Sequence, residues 1–516
     1  MNKYILFITV FLVVELCSSQ PVTLYINSSV TDYVLPCGAT LENACPDIVN
    51  ALASTQSSDV LLSLGNTTLT GQNNTNIQLV NRTVTIQGNK DSYATINLAG
   101  QGAFFIIQDS EQLYGNTSLT LQYLNIANGT GYVLPQLNGT FGGVVFLNTS
   151  YYYAFNTILL DSVVGFNNQA TTGGILYIQS NGSPTNVTVT NSDFNNNNAT
   201  NASIIFGQYI LMTVSNTKIT RNNAFDGLMN FVAAYVQLDR VLIDSNNASV
   251  SLLNFNSTRY VGIQALTLTN NLLDFVNKTI QSGFVKCFQS DLSFGGSSNL
   301  TDNFGASVIY YRSIGKTLTI NNSVIESNSG SLLGGAISQR YGSLVVNNSS
   351  ISRNTAGQAG GAIYLISATS ATITNSTMDE NALGVVINGT SRVAGFGSAL
   401  YLSDTTNVII NGVVFDKNTD NAYGGPIFCS GSNVTMNDIK TSSDELVYCN
   451  QSVLDTKCTY HGNFGEEICP EKKSKLKPGV IAGIVIGSII GLLIIVLFIY
   501  ILKKRHHNRS KYLRYN

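Results

Sequence analysis

The chain has no tryptophan, only three histidines and eight prolines in 516 residues, and just 11% charged residues. Each shortage excludes something. Ordinary soluble domains carry roughly 25% charge, so some other polar layer must solvate this one. Lysine plus arginine (27) nearly balances aspartate plus glutamate (29), for a net charge of −2, which leaves no electrostatic footprint for nucleic acid. His461 precedes the last long apolar run, and His506 and His507 follow it. Histidine-based proton transfer and His/Cys metal centres therefore have little to build on, and no cofactor is expected.

The two ends carry the longest apolar runs. Residues 1–19 read as a signal peptide: Lys3, an apolar stretch from Tyr4 to Val14, then Cys17-Ser18-Ser19 as a small-residue cleavage site. That stretch is shorter than the roughly 20 residues a bilayer needs. Residues 479–502 contain no charge and would reach about 36 Å as a helix, enough to span. Gly483, Gly487 and Gly491 repeat at the Gly-x-x-x-Gly spacing that allows close helix approach. Residues 503–516 form a short basic tail. The expected topology is a type I single span, with the N-terminal side outside and the plasma membrane as its location.

Asparagine, serine, threonine and glycine supply the polarity instead of charge. Between Asn27 and Asn450 there are 23 Asn-x-Ser/Thr sequons, none with proline in the middle. The glycosylation candidates are Asn27, Asn66, Asn81, Asn116, Asn128, Asn138, Asn148, Asn186, Asn247, Asn256, Asn277 and Asn388. A glycan coat would replace charge as the solubilising layer. Seven cysteines follow the leader, in an oxidising compartment. Cys37 and Cys45 are expected to close a small loop. Cys429, Cys449, Cys458 and Cys469 are expected to form two bridges in a membrane-proximal stem, leaving Cys287 over. Their spacing does not suggest a metal site.

The middle of the chain repeats. An apolar–x–x–Asn step occurs at Val164–Asn167, Phe194–Asn197, Ile219–Asn222, Ile243–Asn246, Leu268–Asn271, Leu300–Asn303, Ile325–Asn328, Ile351–Asn354, Met378–Asn381 and Phe415–Asn418. The period is near 25 with occasional insertions, as in stacked repeats. The segments before each Asn alternate, for example Lys316-Thr-Leu-Thr-Ile-Asn, so they read as half-buried strands, about three to a repeat. No helical pattern lies between them. The geometry that fits is a right-handed parallel β-helix over residues 60–430, with residues 20–59 as its N-terminal cap and 431–478 as a Cys-rich stem. Equivalent asparagines, among them Asn197, Asn222, Asn246, Asn328, Asn354, Asn381 and Asn418, would stack as a hydrogen-bonded ladder. Alternatively, each Asn simply tolerates a left-handed turn. A second marker, Gly334-Gly335-Ala336-Ile337 and Gly360-Gly361-Ala362-Ile363, supplies a tight bend before a strand. Degenerate forms begin at Gly142, Gly173, Gly397 and Gly424.

Gly-Gly-Ala-Ile together with Phe-x-x-Asn resembles the repeat pair of the chlamydial polymorphic outer-membrane proteins and their eukaryotic counterparts with pectin-lyase-like β-helices. Phe194/Asn197, Phe415/Asn418 and the two Gly-Gly-Ala-Ile sites carry the full motifs. The resemblance covers about residues 120–430 and implies the β-helix and an adhesive role. Here a single C-terminal helix replaces the bacterial membrane barrel. The opening, Cys37-Gly38 through Cys45-Pro46 to Ile48–Leu52, resembles the capped start of such proteins, where a short amphipathic helix covers the open end of the core.

Enzymes also use this fold, so chemistry needs weighing. The repeats contain no histidine. Scattered acids include Asp193, Asp239, Asp244, Asp302, Asp379 and Asp416, with Arg221, Arg240 and Arg353 as candidate bases. No carboxylate cluster with a base on adjacent coils is evident from spacing. The expectation is a non-catalytic surface glycoprotein that binds an extracellular glycan or protein. The alternatives are a polysaccharide-lyase-like enzyme and a structural coat protein.

Overall fold

The computed structural model describes residues 20–108, 116–150, 154–274, 282–384, 395–419, 425–442, 446–448, 458–463 and 491–504. Contacts divide the chain into residues 1–466 and 467–516. The first unit is an all-β, right-handed parallel solenoid of about 13 coils. Strands in it pair in parallel, apart from one hairpin that joins Tyr132–Leu134 to Gly139–Phe141.

A regular coil has four short strands, one more than the sequence suggests. In one coil they are Ile210–Ser215, Lys218–Thr220, Asn223–Asp226 and Met229–Val232. Stacked coil on coil, these define four faces. The first and second merge into one 28-stranded sheet, and the fourth is a 14-stranded sheet. The third consists of sheets of seven and three strands. Two ten-residue strands, Ser118–Ala127 and Thr157–Phe166, run through both of the first faces. They bend at Tyr123 and Ser162, whose φ values are 55° and 58°. Period-2 alternation sends every second residue inward. Phe194, Ile219, Ile243 and Leu268 thus fall in one register column and are fully buried. Burying such a side chain stabilises by roughly 1.5–3 kcal/mol.

The asparagines form a continuous ladder inside the corner between the second and third faces. Each backbone N–H and each Nδ2 donates to the Oδ1 of the Asn on the next coil, at 2.8–3.2 Å, from Asn168 to Asn418. Each Nδ2 from Asn197 onward also donates back to a main-chain carbonyl of the preceding coil, such as Asn222 to Phe194 and Asn328 to Leu300. The amides from Asn168 to Asn381 are at most 1% exposed, so this satisfaction matters. The left-handed conformation belongs to the residue before each rung, including Arg221, Ser245, Asp302 and Lys417. The turn-tolerance reading of the ladder residues is thereby corrected. The first rung is also Asn168 rather than Asn167. Gly165 pairs with Phe194 at the inward position, and Asn167 takes the left-handed place at φ 54°.

The cap is built as the opening residues suggest. Asp47 accepts a hydrogen bond from the Asn50 N–H and starts a helix at Ile48–Ala53, whose Ile48, Ala51 and Leu52 are buried. Arg82 donates to the carbonyls of Leu52, Thr55 and Ser57 and so caps the end of this helix and the loop after it. Val22–Ile26, within the expected cap, already pairs as a strand with Asp59–Leu64. At the far end the solenoid passes residue 430: Asn433–Asn437 and Thr459–Gly462 extend the first face. Part of the expected stem is therefore coil.

Residues 1–19 and 479–490 lie outside the described residues, as does the tail from 505. Residues 491–504 are helical. Among the described residues no helix is long and apolar enough to cross a membrane.

Candidate functional site: a neutral groove on the third face

The third face starts from small inward residues. Ala170, Ala199, Ala224 and Ala248 lie in register beside the Asn ladder, the last three buried and Ala170 half-buried. Alternation then turns Gln169, Asn198, Asn223 and Asn247 outward as one column. Thr171, Thr200 and Phe225 lie outward beside it. The hairpin Tyr132–Phe141 stands against this surface, held by reciprocal bonds. The Thr140 N–H donates to Thr171 Oγ1 (3.1 Å), and the Thr171 N–H donates to Thr140 Oγ1 (2.9 Å). Behind the hairpin, Phe141 and Leu134 pack with Phe146, Tyr177 and Ile106. Phe146 stacks on Tyr177 at 5.4 Å, and Tyr177 on Phe206 at 5.0 Å. Burial pushes the Tyr177 hydroxyl above its ordinary range.

Between hairpin and sheet lies a groove of about 490 Å³, lined by Thr130, Thr140, Gln169, Thr171, Asn198, Thr200, Asn223 and Phe225, with Ala170 and Ala199 at its floor. None of these residues is ionisable. Amides and hydroxyls offer both donors and acceptors, and Phe225, 54% exposed, supplies one apolar surface. The groove can hold a neutral, hydroxyl-rich ligand. Its lining has no ionisable side chain to act as a general acid or base. The hairpin and the short third-face strands carry only weak sequence signals, and the groove residues were not singled out from the sequence.

Among the glycosylation candidates, Asn27, Asn66, Asn116, Asn138, Asn186, Asn247 and Asn256 are exposed. Asn81, Asn128 and Asn148 are half-buried, and Asn128 Nδ2 already donates to Asn97 Oδ1 at 2.9 Å. Asn277 and Asn388 lie outside the described residues. Cys37 bonds to Cys45 and Cys429 to Cys458. Cys449 and Cys469 lie outside the described residues, and Cys287 is a buried free thiol. In the Gly pairs, the first glycine takes positive φ, as at Gly334 (67°) and Gly360 (61°). The second lets coils approach: a Cβ on Gly335 would collide with the Gly361 carbonyl oxygen, and one on Gly361 with that of Ser398.

The acids mostly have partners. Asp239 pairs with Arg240 at 2.6 Å, Asp193 accepts from Asn195, and Asp244 accepts from Ser245 and Asn270. Arg353 pairs with Glu326. The structure adds Glu380 and Lys417, which spacing did not single out, to two acids that share a repeat position. Asp379 and Asp416 are register partners on adjacent coils, and Lys417 Nζ lies 3.5 Å from Glu380 and 3.7 Å from Asp416. The charges of Asp416, Glu380 and Asp379 hold the Lys417 ammonium above its ordinary pKa. A general base needs the opposite shift, toward the working pH. Among the described residues no group of three or more His, Cys, Asp or Glu is arranged to hold a metal ion.

Comparison with known protein families finds no match, and comparison with curated proteins finds none either. Among solved structures, a crystal structure of the Agl-KA catalytic domain aligns with 78% of this chain at 12% identity and a TM-score of 0.29. The chain spans 63% of that protein.

Proposed function

We propose that the protein is a non-catalytic, single-pass surface glycoprotein whose β-helix displays binding surfaces for extracellular glycans. In this reading residues 1–19 are a cleaved leader, residues 479–502 are the span, and sequon glycans coat the rod. The Gly-Gly-Ala-Ile and Phe-x-x-Asn steps mark it as a relative of the polymorphic-outer-membrane-protein repeats. The observation that carries the binding role is the charge-free groove, lined by amides and hydroxyls and ending at Phe225. Neutral sugars are recognised by such polar groups beside an aromatic surface.

The test is a neutral-glycan array probed with the full-length protein. Phe225→Ala is expected to weaken the best ligand roughly tenfold, about 1.4 kcal/mol, with unchanged thermal unfolding. Two results would overturn the reading. One is release of unsaturated uronate from a uronan with Ca²⁺ that disappears in Asp416→Asn. The other is an N-glycan mapped to Asn198, which sits in an Asn-Ala-Thr sequon and would fill the groove from within.

A further inference from the structure

The fourth face carries a second surface, unlike the groove in charge. Val285, Cys287, Ile309, Tyr311 and Ile337 point inward and are buried, so the residues between them point outward. Lys286 and Tyr310 are register partners there, and Tyr364 follows Ser338 in the same column. Arg312 and Arg340 are register partners in the column beside it, about 4.8 Å apart along the backbone stack. Both arginines are half-buried. Lys286, Arg312 and Arg340 thus place three positive charges on three successive coils, and none forms a salt bridge among the described residues. The acids that bear on this strip are Asp226, whose charge acts on Lys286, and Asp404, whose charge acts on Tyr401. Neither reaches the arginine pair as an ion-pair partner.

Tyrosines occupy the column beside the pair. Burial raises the Tyr310 hydroxyl above its ordinary pKa, while Arg312 and Arg340 both pull it back, so both guanidinium groups lie near it. Burial likewise raises the Tyr364 hydroxyl, and the nearby Arg340 charge lowers it. Two like charges kept side by side, partly out of water and without a counter-ion among the described residues, call for an anion. A planar carboxylate fills one guanidinium fork. A tetrahedral oxyanion ester has three terminal oxygens and can bridge two forks. Tyr364 stacks on Tyr401 at 4.9 Å with an interplanar angle of 15°. Tyr401 in turn stacks on Phe428 at 5.0 Å, so both of its ring faces are covered.

We propose that the fourth face binds a sulfated glycan, with a sulfate ester bridging Arg312 and Arg340 and Lys286 meeting the next charge along the chain. This stands apart from the neutral groove, and either can fail without the other. The experiment measures binding of fluorescent dextran sulfate to the full-length protein, with dextran, oligogalacturonate and poly(dT) as comparators. Dextran sulfate is expected to bind, unmodified dextran not to bind, and the Arg312→Gln/Arg340→Gln double variant to lose at least tenfold. Arg312→Lys/Arg340→Lys keeps the charge without the forks and should fall between. Unchanged binding by the Gln variant overturns the proposal, as does absence of binding. Equal or tighter binding of oligogalacturonate or poly(dT) overturns the sulfate assignment. If the Gln variant does not unfold cooperatively, butanedione modification of the wild-type protein decides. Dextran sulfate should shield Arg312 and Arg340, and labelling that it leaves unchanged refutes the site.

Discussion

Asn328, like Asn246, Asn271 and Asn303, carries a full set of ladder bonds. Its Oδ1 accepts from both the backbone N–H and the Nδ2 of Asn303, and its own Nδ2 donates to the carbonyls of Leu300 and Glu326. Asn328→Leu keeps the volume but leaves the buried Asn303 backbone N–H without its acceptor and takes a donor from the Leu300 and Glu326 carbonyls. Each orphaned group costs about 1–3 kcal/mol, so a loss of roughly 3–5 kcal/mol is expected in urea unfolding. A loss below 1 kcal/mol would mean the ladder is ornamental. Cys287 provides a second test. It is fully buried, and burial above all pushes its thiol up to about 12. The native protein should therefore resist maleimide at pH 8 and react once unfolded, as mass spectrometry would show. Because the folded pKa is raised, the associated stability is complete below the thiol's ordinary value and is lost as pH climbs toward 12. The rungs were legible in the sequence because Asn recurs after an apolar residue. Asn168 was misassigned because Gly165 stands where that apolar residue should be, and a register column can show this while a pattern cannot.

Among the elements, the first and second faces were the easiest to anticipate. Their strands are rich in Val, Ile and Thr and alternate cleanly. The third face was not legible: Asn198–Asn201 and Asn247–Ala248 are too short and too polar to announce strands. Their existence depends on the ladder beside them and on pairing with neighbouring coils. Phe225 was equally hidden, since an aromatic residue in a strand more often belongs to a core. The Gly pairs carry a sharper expectation. Gly335 has ordinary φ, so its role is space rather than conformation, and a Cβ there would meet main-chain atoms of both Gly361 and Thr355. Gly335→Ala should destabilise by about 2–4 kcal/mol. Ser245→Gly, at a left-handed position (φ 55°), should be neutral or stabilising by up to about 1 kcal/mol. Equal effects in paired chemical-denaturation curves would contradict this division of labour between glycines.

At the scale of the solenoid unit, each coil bonds only to the coils before and after it, so stability is close to a sum over neighbours. Residues 328–353 are one full period of 26, and Ser327 and Arg353, which would exchange places at the join, share the left-handed conformation. Excising that segment should leave a cooperative, shorter solenoid with a smaller urea m-value. Excising only 328–340 should not fold, because it moves every later inward residue off its column. Circular dichroism with urea titration separates the two outcomes. The repeat fixed this much in advance, whereas the leader, half of the expected span and the tail from 505 fall outside the described residues. The bonds between coils lie along the stacking axis, and this has a mechanical consequence. A pull on the chain at Gly462 loads the terminal coil before any other, so the solenoid should yield by peeling rather than by shearing as a block. Each event would free about 25 residues, some 85 Å of extended chain. The fold would thereby act as a series of load-limiting springs at whatever surface it joins.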